Sequence, residues 1–169
     1  MERAWIGLGS NLGDRVEHLR SALAALDDSV GVRVIARSRL YETDPVGPPP
    51  QGPYLNAAAE LVVDLEPGAL LERLHSIEAL AGRDRSGLRW SARTLDLDLL
   101  LFGDRAERRV EQPDLIVPHP RLHERAFVLI PLADVAADLR HPILGSTIRE
   151  LAQAVADQPG IRHYAEEDQ

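Results

Sequence analysis

The run RTLDLDLLLF at residues 93–102 admits few conformations. Leu95, Leu97, Leu99 and Leu101 alternate with Thr94, Asp96 and Asp98, a period of two that predicts a strand over 94–102. The leucines are expected to enter one packed layer. The two carboxylates then share the other face, with Cβ atoms roughly 7 Å apart by strand geometry. Like charges at that separation repel unless a cation lies between them. Asp-x-Asp on a buried strand therefore suits magnesium, which takes hard oxygen ligands and keeps places for water and phosphate. The same pattern also suits a solvated edge face, or carboxylates paired with arginine.

The rest of the chain supplies partners for that strand. Residues 4–8 read as a short buried strand ended by Gly9-Ser10-Asn11. Asp14, with Glu17 three residues on, resembles the start of a helix over 14–27 carrying Val16, Leu19, Leu23 and Leu26 on one face. Residues 32–40 alternate as a half-buried strand with arginines outside, and 54–65 read as another strand. Between them, TDPVGPPPQGP holds five prolines and is a stiff loop, because proline removes ladder donors. Pro67 opens a helix that Gly82 stops. Beyond the Asp-x-Asp strand follow a short hairpin within 103–117, a helix over 126–135, a helix over 146–156 capped by Ser146, and a loose polar tail from Gln158. The first six elements run βαββαβ. That order predicts an α+β fold, a ferredoxin-like antiparallel sheet covered by helices, with an added hairpin and C-terminal helices. One domain over 1–157 and a tail over 158–169 are expected, in keeping with a length of 169 residues.

Composition removes several chemistries. There is no cysteine, which excludes disulfides, thiolate nucleophiles and Cys-based metal sites. All 19 basic residues are arginine, so no Walker A lysine or Schiff base is available. The net charge of −8 argues against a general nucleic-acid partner. No long apolar run or export signal stands out, and a cytoplasmic protein with no membrane partner is expected.

Arginine is nonetheless concentrated where a phosphate ligand needs it. Arg83, Arg85, Arg89 and Arg93 lie in the eleven residues that run into Thr94. Arginine forks match phosphate oxygens in pairs, and a polyphosphate bridging them to a metal on Asp96 and Asp98 reconciles the two charge clusters. Trp90 offers a flat apolar face within the same loop. A solvated basic loop paired with neighbouring acids is the simpler alternative. In VPHPRLHERAF, His119 stands in a stiff proline-flanked segment six residues before Arg125, and the two are natural substitutes for a phosphate-binding lysine.

These stretches, with GLGSNLGDR at 7–15, YETDPVG at 41–47, YLNAA at 54–58 and IEALAGRDR at 77–85, resemble the 6-hydroxymethyl-7,8-dihydropterin pyrophosphokinase family of folate biosynthesis. The combination of RTLDLDLLLFG with PHPRLHERAFVL is the specific part, and the likeness extends to about residue 135. The resemblance implies transfer of the β,γ-pyrophosphate of ATP to the pterin hydroxymethyl group with release of AMP, the diphosphokinase reaction. It implies two magnesium ions on Asp96 and Asp98, and phosphate neutralisation by Arg83 and Arg93. Arg85 and Trp90 belong to the same loop. His75, Glu78, His119 and Arg125 match nucleotide-side positions. Thr43, Pro45, Val46, Tyr54, Asn56 and Phe127 match the pterin pocket. ATP and the pterin are the expected partners, and a monomer the expected state.

Two positions depart from the family pattern. His75 stands where glutamine is usual, which makes that contact pH-dependent. Ser91-Ala92 replaces the usual Gly-Pro before Arg93. The loop 82–92 is expected to close over bound ATP, magnesium and pterin, with Gly82 and Gly87 lowering the backbone cost. A nucleotidyltransferase releasing pyrophosphate, or a ferredoxin-like binding module without chemistry, are the competing classes.

Overall fold

The aspartate-bearing strand is an edge of a six-stranded antiparallel sheet. A computed structural model describes residues 1–45, 51–82 and 94–165. β1 (Glu2–Ser10) pairs with β4 (Tyr54–Val63) on one side and β5 (Asp96–Phe102) on the other. β2 (Val32–Arg37) and β3 (Leu40–Thr43) both pair with β4, and β8 (Ile161–Tyr164) closes the far edge on β3. The order β5-β1-β4-β3-β8 contains the ferredoxin-like arrangement, with one of its strands broken into β2 and β3. The break lies at Ser38, whose backbone N–H donates to the Ala58 carbonyl while its Oγ accepts from the Ala58 N–H, both at 2.8 Å. A side-chain oxygen thus replaces one ladder acceptor, and the single strand expected over 32–40 becomes two.

Helices cover both faces. α1 (Arg15–Asp27) and α2 (Pro67–Leu80) pack Leu19, Leu23, Leu26, Leu70 and Leu74 against one face. Asp14 caps α1 as its spacing predicts, its Oδ1 accepting from the Glu17 N–H at 3.2 Å. α3 (Ala126–Ala136) and α4 (Ile148–Ala154) cover the other face with Leu129, Leu132 and Ile148, joined by Leu122 from a 3-10 turn at Leu122–Glu124. The cap of α4 is Thr147 and not Ser146. Thr147 Oγ1 accepts from the Glu150 N–H, and Glu150 Oε1 accepts from the Thr147 N–H, a reciprocal box that Ser146 is one residue too early to form. The expected hairpin is β6 (Val110–Gln112) with β7 (Leu115–Val117). Among the described residues no helix is long and apolar enough to cross a membrane.

Two expectations fail on contacts between distant segments. The β1–β5 register slips between Trp5, which faces Leu101, and Ile6, which faces Leu99. Leu100 is the extra residue, and such a bulge reverses the alternation beyond it. Leu95, Leu97 and Leu99 enter the first core with Phe102, whereas Leu101 joins Leu100 in the second. The tail, polar and without period, is not loose over 161–164. It finds the open edge of β3, and Arg162 bonds Glu42 at 2.7 Å and Asp44 at 3.1 Å. Arg15 from α1 holds the other oxygen of Glu42 at 2.8 Å.

Candidate active site

The site begins with what is missing from β1. Gly9 stands opposite Asp96 and Asn56, and Gly7 opposite Asp98 and Ala58. Directly paired residues project to the same face, so two glycines leave bare sheet beside two carboxylates. A Cβ on Gly9 would come within 3.0 Å of Asn56 Oδ1, too close for ordinary contact. The first core is on the opposite face, under α1 and α2, so the bare strip opens toward the α3 side.

Two cavities adjoin β5, the first running along this strip, and both are lined by Asp96 and Asp98. The first, of about 390 Å³, holds Thr43, Tyr54, Asn56 and Phe127 with Arg125. Four of the expected pterin residues are therefore brought together. Asn56 is buried and donates to Thr43 Oγ1 at 2.6 Å, which sets the orientation of its amide. Pro45 does not line this cavity; its neighbour Asp44 does. The second, of about 340 Å³, holds His75 from α2 and His119, with Asp114 and Leu115 of the hairpin. Val46, Arg83, Arg85, Trp90, Ser91, Ala92 and Arg93 lie outside the described residues, as does the loop expected to close, apart from Gly82.

His119 is anchored at both ends. Its N–H donates to the Leu100 carbonyl, and its Nδ1 accepts from the Arg121 N–H at 3.2 Å. With Nδ1 occupied as acceptor, the neutral ring carries its proton on Nε2. Burial pushes the imidazole below its ordinary value of 6.5, Arg125 and Arg121 add to this, and Asp96 opposes it. The ring is thus a neutral donor at pH 7. Arg125 is half-buried, its guanidinium 5.6 Å from the Phe127 ring centre. Burial and then Arg121 lower its pKa, while Asp98, Glu124 and Asp96 raise it. It stays charged regardless.

Glu78, expected on the nucleotide side, lies outside both cavities. It is fully buried on α2, and its Oε2 accepts from the Leu97 N–H at 3.1 Å. It lines neither cavity and grips β5 between the two aspartates. Among the described residues no group of three or more His, Asp or Glu side chains forms a metal cage. The aspartate pair offers two hard carboxylate ligands, each half-buried in the cavity walls. That donor set fits a cation completing its shell with water and phosphate.

The first cavity also contains residues that sequence reasoning did not single out: Gln51, Arg121, Glu124, and Gln158 to Ile161. Arg121 and Glu124 lie inside the VPHPRLHERAF motif, where a closer reading of its charges would have found them. Residues 158–161 carry no local signal.

A family model described as 7,8-dihydro-6-hydroxymethylpterin-pyrophosphokinase matches residues 5–137. The 2-amino-4-hydroxy-6-hydroxymethyldihydropteridine pyrophosphokinase of Bacillus subtilis is 45% identical over 159 residues, covering 94% of this chain and 88% of that protein. The protein of the same name from Methylorubrum extorquens is 45% identical over 161 residues, covering 95% and 98%. Among solved structures, Plasmodium falciparum HPPK-DHPS with pterin and p-hydroxybenzoate superposes with a TM-score of 0.71 at 17% identity over 96% of this chain. This chain spans 45% of that one, and the likeness concerns the fold.

Proposed function

The chain belongs to the 7,8-dihydro-6-hydroxymethylpterin-pyrophosphokinase family, and we propose that it transfers the β,γ-pyrophosphate of ATP to the hydroxymethyl group of 6-hydroxymethyl-7,8-dihydropterin, releasing AMP, at Asp96 and Asp98. One observation carries the assignment of the site: the two aspartates are shared by both cavities. A donor in one cavity and an acceptor in the other then meet over the same two carboxylates. Transfer between them is direct and needs no covalent nucleophile.

The first cavity suits the pterin. Its amphipathic wall of Tyr54 and Phe127 fits a flat ring, and Asn56 with Thr43 reads the ring edge. The second suits the nucleotide, with His75 and His119 on its wall. The pterin hydroxyl oxygen attacks the β-phosphorus, the bond from that phosphorus to the α-phosphate oxygen breaks, and AMP leaves with that oxygen. The hydroxyl proton is released to water. His119 donates through Nε2–H to a phosphate oxygen, and Arg125 supplies a full charge from the other side. Arg83 and Arg93 are the further phosphate ligands that the family resemblance indicates.

Asp96 and Asp98 are the residues that would hold magnesium, two ions by the family resemblance. When bound, magnesium neutralises phosphate charge and orients donor and acceptor. With glycine opposite each aspartate on β1, no β1 side chain would compete with such ions for the two carboxylates. ATP as donor supports a cytoplasmic setting.

The test is product analysis. ATP and the pterin are incubated with increasing magnesium, and the nucleotide product is identified. AMP formed only when pterin and magnesium are both present is expected. Release of free pyrophosphate with a nucleotidylated acceptor would overturn the reading in favour of a nucleotidyltransferase.

A further inference from the structure

Arg125 is a single extended residue, at φ −116° and ψ 107°, between the 3-10 turn and α3. The peptide groups on either side of it are gripped by one distant side chain. Gln158 Nε2 donates to the Glu124 carbonyl at 2.9 Å, and Gln158 Oε1 accepts from the Ala126 N–H at 3.1 Å. A carboxamide that donates to one peptide and accepts from the next reproduces a short piece of ladder. It also satisfies one of the N–H groups that the first turn of a helix leaves without an intrahelical partner.

We propose that Gln158 is a positioning residue for Arg125, clamping the backbone around it so that the guanidinium is directed to the aspartate end of the first cavity. This rests on the reading of Arg125 as a phosphate ligand. The clamp is itself anchored. The Gln158 N–H donates to the Val155 carbonyl at 3.1 Å, and the Gly160 carbonyl accepts from the Asp44 N–H at 2.8 Å. Gly160 has φ +82°, and a Cβ there would lie 2.8 Å from Asp44 Oδ2, so the chain turns tightly against the loop after β3. β8 then follows in register with β3, Ile161 opposite Thr43. The C-terminal strand therefore sets the place of Gln158, and Gln158 sets the backbone of Arg125. Residue 158 lies beyond the 5–137 stretch that carries the family match.

A double-mutant cycle in the full chain tests this. Gln158→Ala, Arg125→Ala and the double variant are compared for kcat and for the KM of each substrate, below their melting temperatures. Gln158→Ala is expected to lower kcat by about tenfold with little change in the pterin KM. Gln158→Glu keeps the acceptor and loses the donor, and should fall between it and the unaltered protein. In the Arg125→Ala background the Gln158→Ala change should cost under about twofold. A Gln158→Ala loss of the same size in both backgrounds overturns the proposal, because a merely structural role is additive. Unaltered kinetics in Gln158→Ala also overturn it. If Arg125→Ala itself leaves kcat and the ATP KM unchanged, the phosphate assignment fails first and the proposal falls with it.

Discussion

Glu78 Oε2 accepts a hydrogen bond from the Leu97 N–H at 3.1 Å, so a fully buried carboxyl group on α2 holds the strand midway between Asp96 and Asp98. The two aspartates project to one face of β5 while the backbone of their shared neighbour is held at the open edge of the strand. The segment that carries the pair is thus tied to α2 by a residue that lines neither cavity.

Replacing Glu78 by alanine is expected to destabilise the protein by about 1–3 kcal/mol, since the buried Leu97 N–H loses its acceptor. kcat should fall as the strand bearing the aspartates loses its tie to α2. Glu78→Gln keeps an acceptor oxygen and should cost less in both. Urea denaturation together with turnover measures this; an alanine variant as stable as the unaltered protein would contradict it.

Asp96→Asn and Asp98→Asn should each lower kcat by at least about a hundredfold, as expected for loss of a charged group at a phosphoryl-type transfer. Without magnesium their melting temperatures should equal or slightly exceed that of the unaltered protein, because one repulsive charge has gone. Full turnover in either variant at saturating magnesium would sink the assignment.

Asn56→Ala should weaken pterin binding by about 1–3 kcal/mol and ATP binding much less, because the ring edge and Thr43 Oγ1 both lose a polar partner. Calorimetric titration with each ligand separates the two. Equal losses would argue against the pterin cavity.

The docking of β8 should be acid-sensitive. Hydrogen bonds from Arg162 and then Arg15 hold the Glu42 carboxyl below its ordinary value of 4.5. Stabilisation by a lowered carboxylate is complete above the unfolded value and is lost as pH falls through the folded one. Protection factors of the β8 amides that bond β3 are therefore expected to drop below pH 4.5, ahead of those in β1 and β4. Glu42→Gln should show weaker protection at pH 7 and lose the acid step. Protection in β8 that tracks the central strands at every pH would refute this.

Much of the site is legible in the chain because it obeys local rules. Asp96 and Asp98 share a face through a strand's period of two, Asp14 caps its helix through a spacing of three, and Pro67 opens one at the position where it lacks nothing. The family motifs lie within such segments. The exchange of Leu101 into the second core shows where local reasoning ends: the bulge is a property of how β5 meets Trp5 and Ile6, some ninety residues away. The same holds for β8, whose partner strand and whose carboxylates are far away in sequence.

By itself, the sequence determined the chemistry available here: paired carboxylates, arginine and histidine for phosphate, no thiol and no lysine, and a βαββαβ order that can close into one sheet. Only the tertiary structure decided that the pair would be shared by two cavities, that Glu78 would hold the open edge of the strand, and that Gln158 would clamp Arg125. Periodicity and capping act over a few residues and leave a trace in the order of side chains. Burial, register and side-chain bonds between distant segments depend on which surfaces meet when the chain packs, and no short window of sequence records that.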